Sequence, residues 1–83
     1  MWVLLSIYEL LDKLAGEGVA EVSIIDVSGD KVRVRCKIIG RRLTARDVER
    51  VVRKIEECGG KIVLIGNRFE FFLVFDIKRG DIE

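Results

Sequence analysis

The sequence predicts a small α+β fold made of tandem α-β-β units, in which a four-stranded, mostly antiparallel sheet carries two helices on one face. Two segments have apolar residues at helical spacing, and each is followed by two segments in which apolar and polar residues alternate as in strands. Two apolar helix stripes need an apolar sheet face to cover, which leaves the other face open. The 83 residues suffice for one hydrophobic core, so we expect a single domain over residues 1–83.

A first helix is predicted where apolar residues recur at intervals of three, four and seven. Ser6 and Glu9 have the spacing of a capping box, in which two side chains satisfy backbone N–H groups at a helix start. Residues 2–5 either extend this helix backwards or form a short strand, and we favour the helix. Gly16 or Gly18 ends the helix in a left-handed conformation. The apolar stripe consists of Ile7, Leu10, Leu11 and Leu14.

The first pair of strands is predicted to form a hairpin with one solvated face. Residues 20–26 alternate, and Ser28-Gly29-Asp30 turns the chain. In the second strand, the side chains of one face are apolar and those of the other are basic. The inward set is Val32, Val34, Cys36 and Ile38, and the outward set is Arg33, Arg35 and Lys37. We expect Glu21, Ser23 and Ile25 of the first strand to share the basic face.

The second helix and hairpin repeat this order. Thr44 and Asp47 resemble a second capping box, and Gly59-Gly60 ends the helix. Residues 61–65 and 68–77 are the predicted strands, joined by a turn at Gly66-Asn67. A period of two places these apolar side chains of the last strand beneath the helices: Phe69, Phe71, Leu73, Phe75 and Ile77. The alternate residues then face outward: Arg68, Glu70, Phe72, Val74 and Asp76.

The formal net charge of +1 conceals a strong asymmetry along the chain. Residues 1–30 contain one basic and six acidic residues, a net charge of −5, whereas residues 31–54 contain ten basic and two acidic residues, a net charge of +8. The remainder contains four basic and six acidic residues, a net charge of −2. Any anion-binding surface is therefore local, and the basic segment is the main indication of function.

The composition argues against most enzyme classes. The chain has no histidine, which removes imidazole-based nucleophile pairs, metal ligands and acid–base catalysis. Cys36 and Cys58 lack the spacing of a zinc site, so they are interpreted as buried free thiols or, alternatively, as a disulfide. We therefore expect a non-enzymatic protein with no metal and no cofactor.

The sequence also favours a cytoplasmic protein adapted to high temperature. The apolar runs are far shorter than the roughly 20 residues that span a bilayer, and no secretion signal is recognisable. We therefore expect no membrane partner. The single asparagine, the single methionine and the absence of glutamine are typical of hyperthermophile proteins.

The open face of the predicted sheet combines basic side chains with an exposed aromatic ring, that of Phe72. Bases of single-stranded nucleic acid stack on aromatic side chains for about 1–3 kcal/mol each, while cations contact the phosphates. We therefore predict binding of single-stranded DNA or RNA, because no groove-filling element for duplex recognition is apparent. The predicted nucleic-acid-binding residues are Arg33, Arg35, Lys37, Arg41, Arg42, Arg68 and Phe72.

Other interpretations of the same residues stay open. The basic strand residues can serve only to solubilise the sheet and protect an edge, with Glu70 and Asp76 as cross-strand partners. Phe72, Val74 and Trp2 can instead be buried in a homodimer, which would make the chain a protein-interaction or homodimerisation module without nucleic-acid binding. On the second helix, interspersed glutamates favour a salt-bridged, solvated face over a phosphate site. Its basic residues are Arg46, Arg50, Arg53 and Lys54.

The strand Val32-Arg33-Val34-Arg35-Cys36-Lys37, together with Arg68-Phe69-Glu70-Phe71-Phe72, resembles the ThermoDBP-related archaeal proteins, which bind single-stranded nucleic acid. This resemblance is architectural and covers roughly residues 5–77. It implies a base-stacking role for Phe72 and phosphate contacts for Arg33, Arg35 and Lys37.

A second resemblance lies in the second half of the chain. The segment Gly59–Gly66, followed by Phe71-Phe72-Leu73, is similar to the core of the cell-division protein SepF. The hairpin between the two helices departs from the SepF pattern. This resemblance implies dimerisation and binding of a protein partner.

Overall fold

The computed structural model describes residues 2–82, so Met1 and Glu83, the ends of the predicted domain, lie outside it. The chain forms two successive α-β-β units followed by a short 3-10 helix, which confirms the predicted α+β class and order of elements. The elements are α1 (Trp2–Ala15), β1 (Val19–Ser28), β2 (Lys31–Ile39), α2 (Ala45–Glu57), β3 (Lys61–Gly66), β4 (Phe71–Lys78) and the 3-10 helix (Arg79–Asp81). Within residues 2–82, neither α-helix has the length and apolar character needed to cross a membrane.

The four strands form one sheet, in which every pairing within the described chain is antiparallel and the order is β1-β2-β4-β3. The second strand of each α-β-β unit therefore lies at the centre, where β2 pairs with β4. The first strand of each unit forms an edge. The two units thus meet along equivalent strands, as expected for a tandem arrangement.

The inner face of the central strands and both helices form the core. Alternate residues of β2 and β4 are buried here, and the largest fully buried side chains are those of Phe71 and Phe75. Burial of a side chain of this kind stabilises a fold by about 1.5–3 kcal/mol, before conformational entropy is subtracted. The helices contribute Leu4, Ile7, Leu11, Ala15, Val51 and Ile55. The opposite face of the sheet stays open among the described residues.

The first helix begins at Trp2 rather than at Ser6, so the predicted capping box is wrong and the predicted backward extension is confirmed. The helix start has a tertiary partner. The backbone N–H of Val3 donates to the carbonyl oxygen of Ile82 at 3.3 Å, which satisfies one of the free N–H groups of the first turn. Gly16, with a φ of +57°, ends the helix and is the one of the two candidate glycines that adopts the left-handed conformation.

The boundaries of α2 agree with the sequence. The Oγ1 atom of Thr44 accepts a hydrogen bond from the backbone N–H of Asp47 at 3.1 Å, as in the predicted cap. Gly59, with a φ of +90°, follows the C-cap residue Cys58 and ends the helix. Both ends of this helix are therefore determined by local sequence.

A bulge in β1 changes which residues share the outer face. The pairing with β2 shifts between Ile24 and Asp26, so Asp26 rather than Ile25 lies opposite Arg33. A bulge inserts one unpaired residue and reverses the alternation beyond it. Ile25 is therefore left unpaired at the bulge, and the carboxylate of Asp26 joins the basic face.

The last strand begins at Phe71, later in the chain than predicted. The other apolar residues of this strand are buried as expected, but Phe69 is 79% exposed, so its predicted core position is wrong. The reason is that residues 67–70 form a loop beyond the end of the sheet, where the backbone N–H of Phe71 donates to the carbonyl oxygen of Arg41 at 2.9 Å. Arg68 therefore belongs to this loop and not to the strand.

Candidate nucleic-acid interface

Four of the seven predicted binding residues lie together on the outer face of the sheet: Arg33, Arg35, Lys37 and Phe72. The three predicted basic side chains of β2 lie opposite Asp76, Val74 and Phe72 of β4, in that order. Each cation therefore has a different neighbour across the central strands. The neighbours are a carboxylate, an aliphatic side chain and an aromatic ring, so the three cations are not chemically equivalent.

The outer face is basic, although less so than the central segment of the sequence. By strand register, six basic and three acidic side chains of the strands point outward, a net charge of +3. The basic ones are Lys31, Arg33, Arg35, Lys37, Lys61 and Lys78, and the acidic ones are Glu21, Asp26 and Asp76. Lys31, Lys61 and Lys78 were not among the predicted residues: Lys31 and Lys78 lie at the ends of their strands, and Lys61 reaches this face only through the pairing of β3 with β4.

Arg33 forms a bidentate ion pair within the fold. Its Nε and Nη2 atoms donate to the two carboxylate oxygens of Asp76 at 2.8 and 2.9 Å. The hydrogen bonds from Arg33 hold the pKa of Asp76 below its usual value, and Asp76 in turn raises the pKa of Arg33. Lys31 makes a longer contact with the same carboxylate, at 3.8 Å. A phosphate contact by Arg33 would have to compete with this pair.

Arg35 and Lys37 carry charge that the fold uses only weakly. The Nη2 atom of Arg35 lies 3.8 Å from a carboxylate oxygen of Glu21, and the side chain is 43% exposed, although its Nε atom is buried without a hydrogen-bond partner within residues 2–82. Lys37 forms no ion pair with the residues that the structure describes. Exposed ion pairs contribute about 0–1 kcal/mol to stability. A phosphate that binds these two cations therefore replaces only weak interactions within the fold.

Phe72 holds its ring against the edge strand β3. A Cβ atom on Gly66 would overlap carbon atoms of this ring, so the ring occupies the space of the missing side chain. Phe72 nevertheless remains 39% exposed. Val74, which is nearly buried, and Leu64, which is 45% exposed, extend the apolar surface along the same face. The predicted stacking residue is thus supported from one side and accessible to a flat ligand.

The loop of residues 67–70 presents a second aromatic ring, which the alternation pattern assigns to the core. Phe69 is 79% exposed, and the guanidinium of Arg68 lies over its ring, with Cζ 5.4 Å from the ring centroid. A shallow cavity beside this ring is lined by the loop and by Phe72. The sequence pattern could not reveal this arrangement, because β4 begins only at Phe71, where the chain meets the connection that contains Arg41.

Arg41 and Arg42 do not belong to the sheet face. They lie in the connection between β2 and α2, where the Nη1 atom of Arg41 is 3.5 Å from the carbonyl oxygen of Ala15 at the end of α1. The same carbonyl accepts a hydrogen bond from the backbone N–H of Gly18 at 2.8 Å, and the cation beside it complements the helix dipole. Arg42 is exposed. Contact of these two residues with nucleic acid stays a prediction.

The second basic surface lies on α2, in the helical layer. Arg50 pairs with Asp47 at 3.5 Å, whereas the glutamates of this helix form no ion pair within residues 2–82. The helix contains four basic and four acidic residues, so its net charge is zero. This balance favours a solvated helix face over a phosphate site.

The two cysteines are free thiols and not a disulfide, as in the first of the two interpretations, but only Cys36 is buried as predicted. Cys36 is buried in β2, and Cys58 is half-buried at the C-cap of α2. Burial raises the pKa of the Cys36 thiol to about 12, which suppresses its thiolate. Residues 2–82 contain no group of three cysteine or carboxylate side chains placed to hold a metal ion.

Comparison of the chain with protein-family models, with curated proteins and with solved structures finds no match in any of the three. The resemblances to the ThermoDBP-related proteins and to SepF therefore rest on the residues quoted for them. The functional interpretation depends on the geometry of the outer sheet face.

Proposed function

We propose that the protein binds single-stranded nucleic acid, DNA or RNA, through the outer face of its sheet and that it is not an enzyme. The observation that carries this proposal is the pair formed by Lys37 and Phe72, which lie opposite each other on the central strands. A partly exposed aromatic ring offers a stacking surface to a base, and an ammonium group beside it offers a partner to a phosphate. This combination agrees with the resemblance to the ThermoDBP-related proteins.

The cations of the face have different proposed roles. Lys37 and Arg35 contact phosphates, because the fold binds their charges only weakly. Arg33 positions the central strands through Asp76 and contributes less to binding. With few phosphate contacts and one or two stacked bases, we expect a dissociation constant of about 1 μM or weaker at physiological salt.

The flat shape of the face favours single strands over duplexes. In a duplex the bases stack on one another, so a ring that lies on a sheet cannot reach their π-faces. Reading a duplex requires an element that enters a groove, usually a helix or a two-stranded ribbon. The outer face offers a broad sheet surface, which suits unstacked bases and an accessible backbone.

The proposal is tested by fluorescence anisotropy with labelled single-stranded DNA, single-stranded RNA and duplex DNA, each titrated at low and moderate salt. We expect both single strands to bind more tightly than the duplex. The logarithm of the affinity should fall with the logarithm of the salt concentration, with a slope of about 0.7 per phosphate contact. The double variant Arg35→Glu, Lys37→Glu should bind at least tenfold more weakly, on the order of 1.4 kcal/mol.

A matched control reverses the same number of charges elsewhere. The variant Arg46→Glu, Arg53→Glu changes two exposed arginines of α2, in the helical layer. We expect its affinity to stay close to that of the wild type. Equal losses in the two double variants would show a general charge effect and would contradict a role for the sheet face. Absence of single-strand binding by the wild type would overturn the proposal.

A second candidate function is homodimerisation or binding of a protein partner, and a different observation favours it. The edge strand β3 exposes three consecutive apolar residues, Val63, Leu64 and Ile65, each 43–45% accessible. An edge strand also has unpaired backbone groups that can add a strand from another chain. The resemblance to SepF agrees with this possibility.

Sedimentation velocity over a wide concentration range tests the second candidate. A dimer whose dissociation constant rises in Val63→Lys would support pairing through β3, because a charge on an edge strand opposes edge-to-edge contact. A wild-type chain that stays monomeric at the highest concentration would count against homodimerisation. Both functions can be measured on the same samples, so each outcome is assigned separately.

A further inference from the structure

We infer that Phe69 forms a second base-stacking site, on a loop already held in its binding conformation at the end of the sheet face. The inference rests on the proposed function and adds the path that the bound single strand takes across the surface. A single strand would run along β2 and β4, past Lys37 and Phe72, and reach residues 67–70. The ligand of Phe69 is one nucleobase of a single-stranded nucleic acid, and Phe72 binds another base of the same molecule.

The aromatic ring of Phe69 is largely exposed to solvent. The side chain of Phe69 is 79% exposed, the highest exposed fraction of any large apolar residue among residues 2–82. Leaving a phenylalanine in water forgoes about 1.5–3 kcal/mol that burial would contribute. A loop of polar residues would serve equally well to connect β3 and β4. An exposed ring on a loop beside the sheet face is therefore available to a ligand that covers it.

The loop is anchored on both sides of the exposed ring. The side-chain amide of Asn67 forms two hydrogen bonds with the backbone of Leu43, accepting from its N–H at 2.9 Å and donating to its carbonyl at 2.7 Å. On the other side, the carboxylate of Glu70 accepts a hydrogen bond from the backbone N–H of Gly40. A loop that is ordered before binding loses less conformational entropy on binding. The anchors thus present Phe69 in a defined place.

Phe69 lies close to Phe72. The two rings are three residues apart, so their α-carbons are separated by at most about 11 Å. Both rings line the same shallow cavity. Two bases of one short strand can therefore reach the two rings at once.

Arg68 supplies the charge that this site needs. Its guanidinium lies over the Phe69 ring, with Cζ 5.4 Å from the centroid, which leaves the other side of the ring to a base. A cation next to a stacked base is well placed for the adjoining phosphate. A ring paired with a cation therefore suits an anionic aromatic ligand better than an apolar protein segment.

The experiment compares variants of the full chain on a series of labelled oligothymidylates, from about four to sixteen nucleotides. Phe69→Leu keeps an apolar side chain but removes the π-face, and Phe69→Tyr keeps the π-face. The control is Trp2→Leu, which removes an aromatic side chain of nearly equal exposure, 78%, from the first helix.

We expect Phe69→Leu to bind every length, including the shortest, about 5- to 100-fold more weakly than the wild type, because even a short strand reaches both rings. Phe69→Tyr and Trp2→Leu should bind every length like the wild type. Because Phe69 is outside the core, circular dichroism should show all variants folded.

Three outcomes would overturn the inference, and they are distinguishable. If Phe69→Leu binds all lengths like the wild type while Phe72→Leu does not, the proposed function stands and the second site is absent. If Phe69→Leu changes only sedimentation, the ring contacts protein. If the wild type binds no oligonucleotide of any length, the proposed function itself has failed.

Discussion

The guanidinium of Arg33 and the carboxylate of Asp76 form a bidentate pair across the two central strands, in the middle of the outer sheet face. The side chain of Asp76 is only 16% exposed, so this pair is part of the packed structure and not a mobile surface contact. It places opposite charges where the sequence suggests a continuous row of cations. Because Arg33 is already paired, the positive charge that a ligand can use lies nearer the other end of the face, at Lys37 opposite Phe72.

Acid should weaken the fold through Asp76. Its folded-state pKa lies below the ordinary value of about 3.9, so the pair stabilises the fold above that pH and loses its effect as the pH falls through the folded-state pKa. In Asp76→Asn this contribution is absent at every pH. Urea denaturation at several pH values should give a difference in unfolding free energy between the two proteins that is constant above about pH 5 and shrinks below about pH 4. A difference that persists unchanged to about pH 2 would contradict this assignment.

Removal of the Arg33 pair without a change of net charge should spare binding. The double variant Arg33→Thr, Asp76→Thr replaces the ion pair with two β-branched residues that suit paired strands. We expect its salt dependence of single-strand binding to match the wild type, because Arg33 is already neutralised by Asp76. Arg35→Thr should instead lower the salt slope by about 0.7. The reverse result would show that Arg33 leaves Asp76 to bind phosphate.

Asn67 should be important for stability although it lies in a loop. Asn67→Ala leaves the backbone N–H and carbonyl of Leu43, a residue that is 6% exposed, without their partners. Loss of such bonds costs about 1–3 kcal/mol of unfolding free energy, which chemical denaturation can measure. The exposed neighbour Arg42 offers a control, because Arg42→Ala should change stability by less than about 0.5 kcal/mol. Similar effects in the two variants would contradict the role given to Asn67.

Gly66 should affect binding more than stability. A methyl group at this position would overlap the Phe72 ring, which would have to leave its place on the sheet face. A displaced side chain of this kind costs about 0.5–1.5 kcal/mol in unfolding free energy. We expect Gly66→Ala to weaken single-strand binding at least as much as Phe72→Leu, measured by anisotropy.

Gly80→Ala is the control for this substitution, because a Cβ atom at position 80 meets open space. Its stability and its affinity should both equal those of the wild type. Unchanged binding in Gly66→Ala, together with a measurable loss of stability, would show that the Phe72 ring does not contact the ligand.

The two thiols should differ in reactivity. Cys36 is fully buried, and burial raises its pKa to about 12, whereas Cys58 is half-buried at the end of α2. Thiolates are the reactive form, so a thiol reagent at neutral pH should modify Cys58 and spare Cys36 in the folded protein. Mass spectrometry should find one label per folded chain and two per chain in denaturant. Absence of labelling in denaturant without a reductant would indicate a disulfide.

Local patterns were sufficient for much of the fold. The period of two in β2 predicted its buried and basic faces, and the cap at Thr44 and the glycine at Gly59 set the ends of α2. These features depend on interactions between residues close in the chain, which a sequence shows directly. The same patterns placed three cations and Phe72 on one face.

Long-range contacts decided the rest. Ile82, at the end of the 3-10 helix, meets the start of α1, and Asn67 ties its loop to Leu43. Each of these contacts joins residues distant in the chain, and none has a local pattern that announces it. Periodicity assigns a side chain to a face only while the strand continues. Where β4 begins is set by what the chain packs against, so Phe69 lies in solvent although its spacing matches the core.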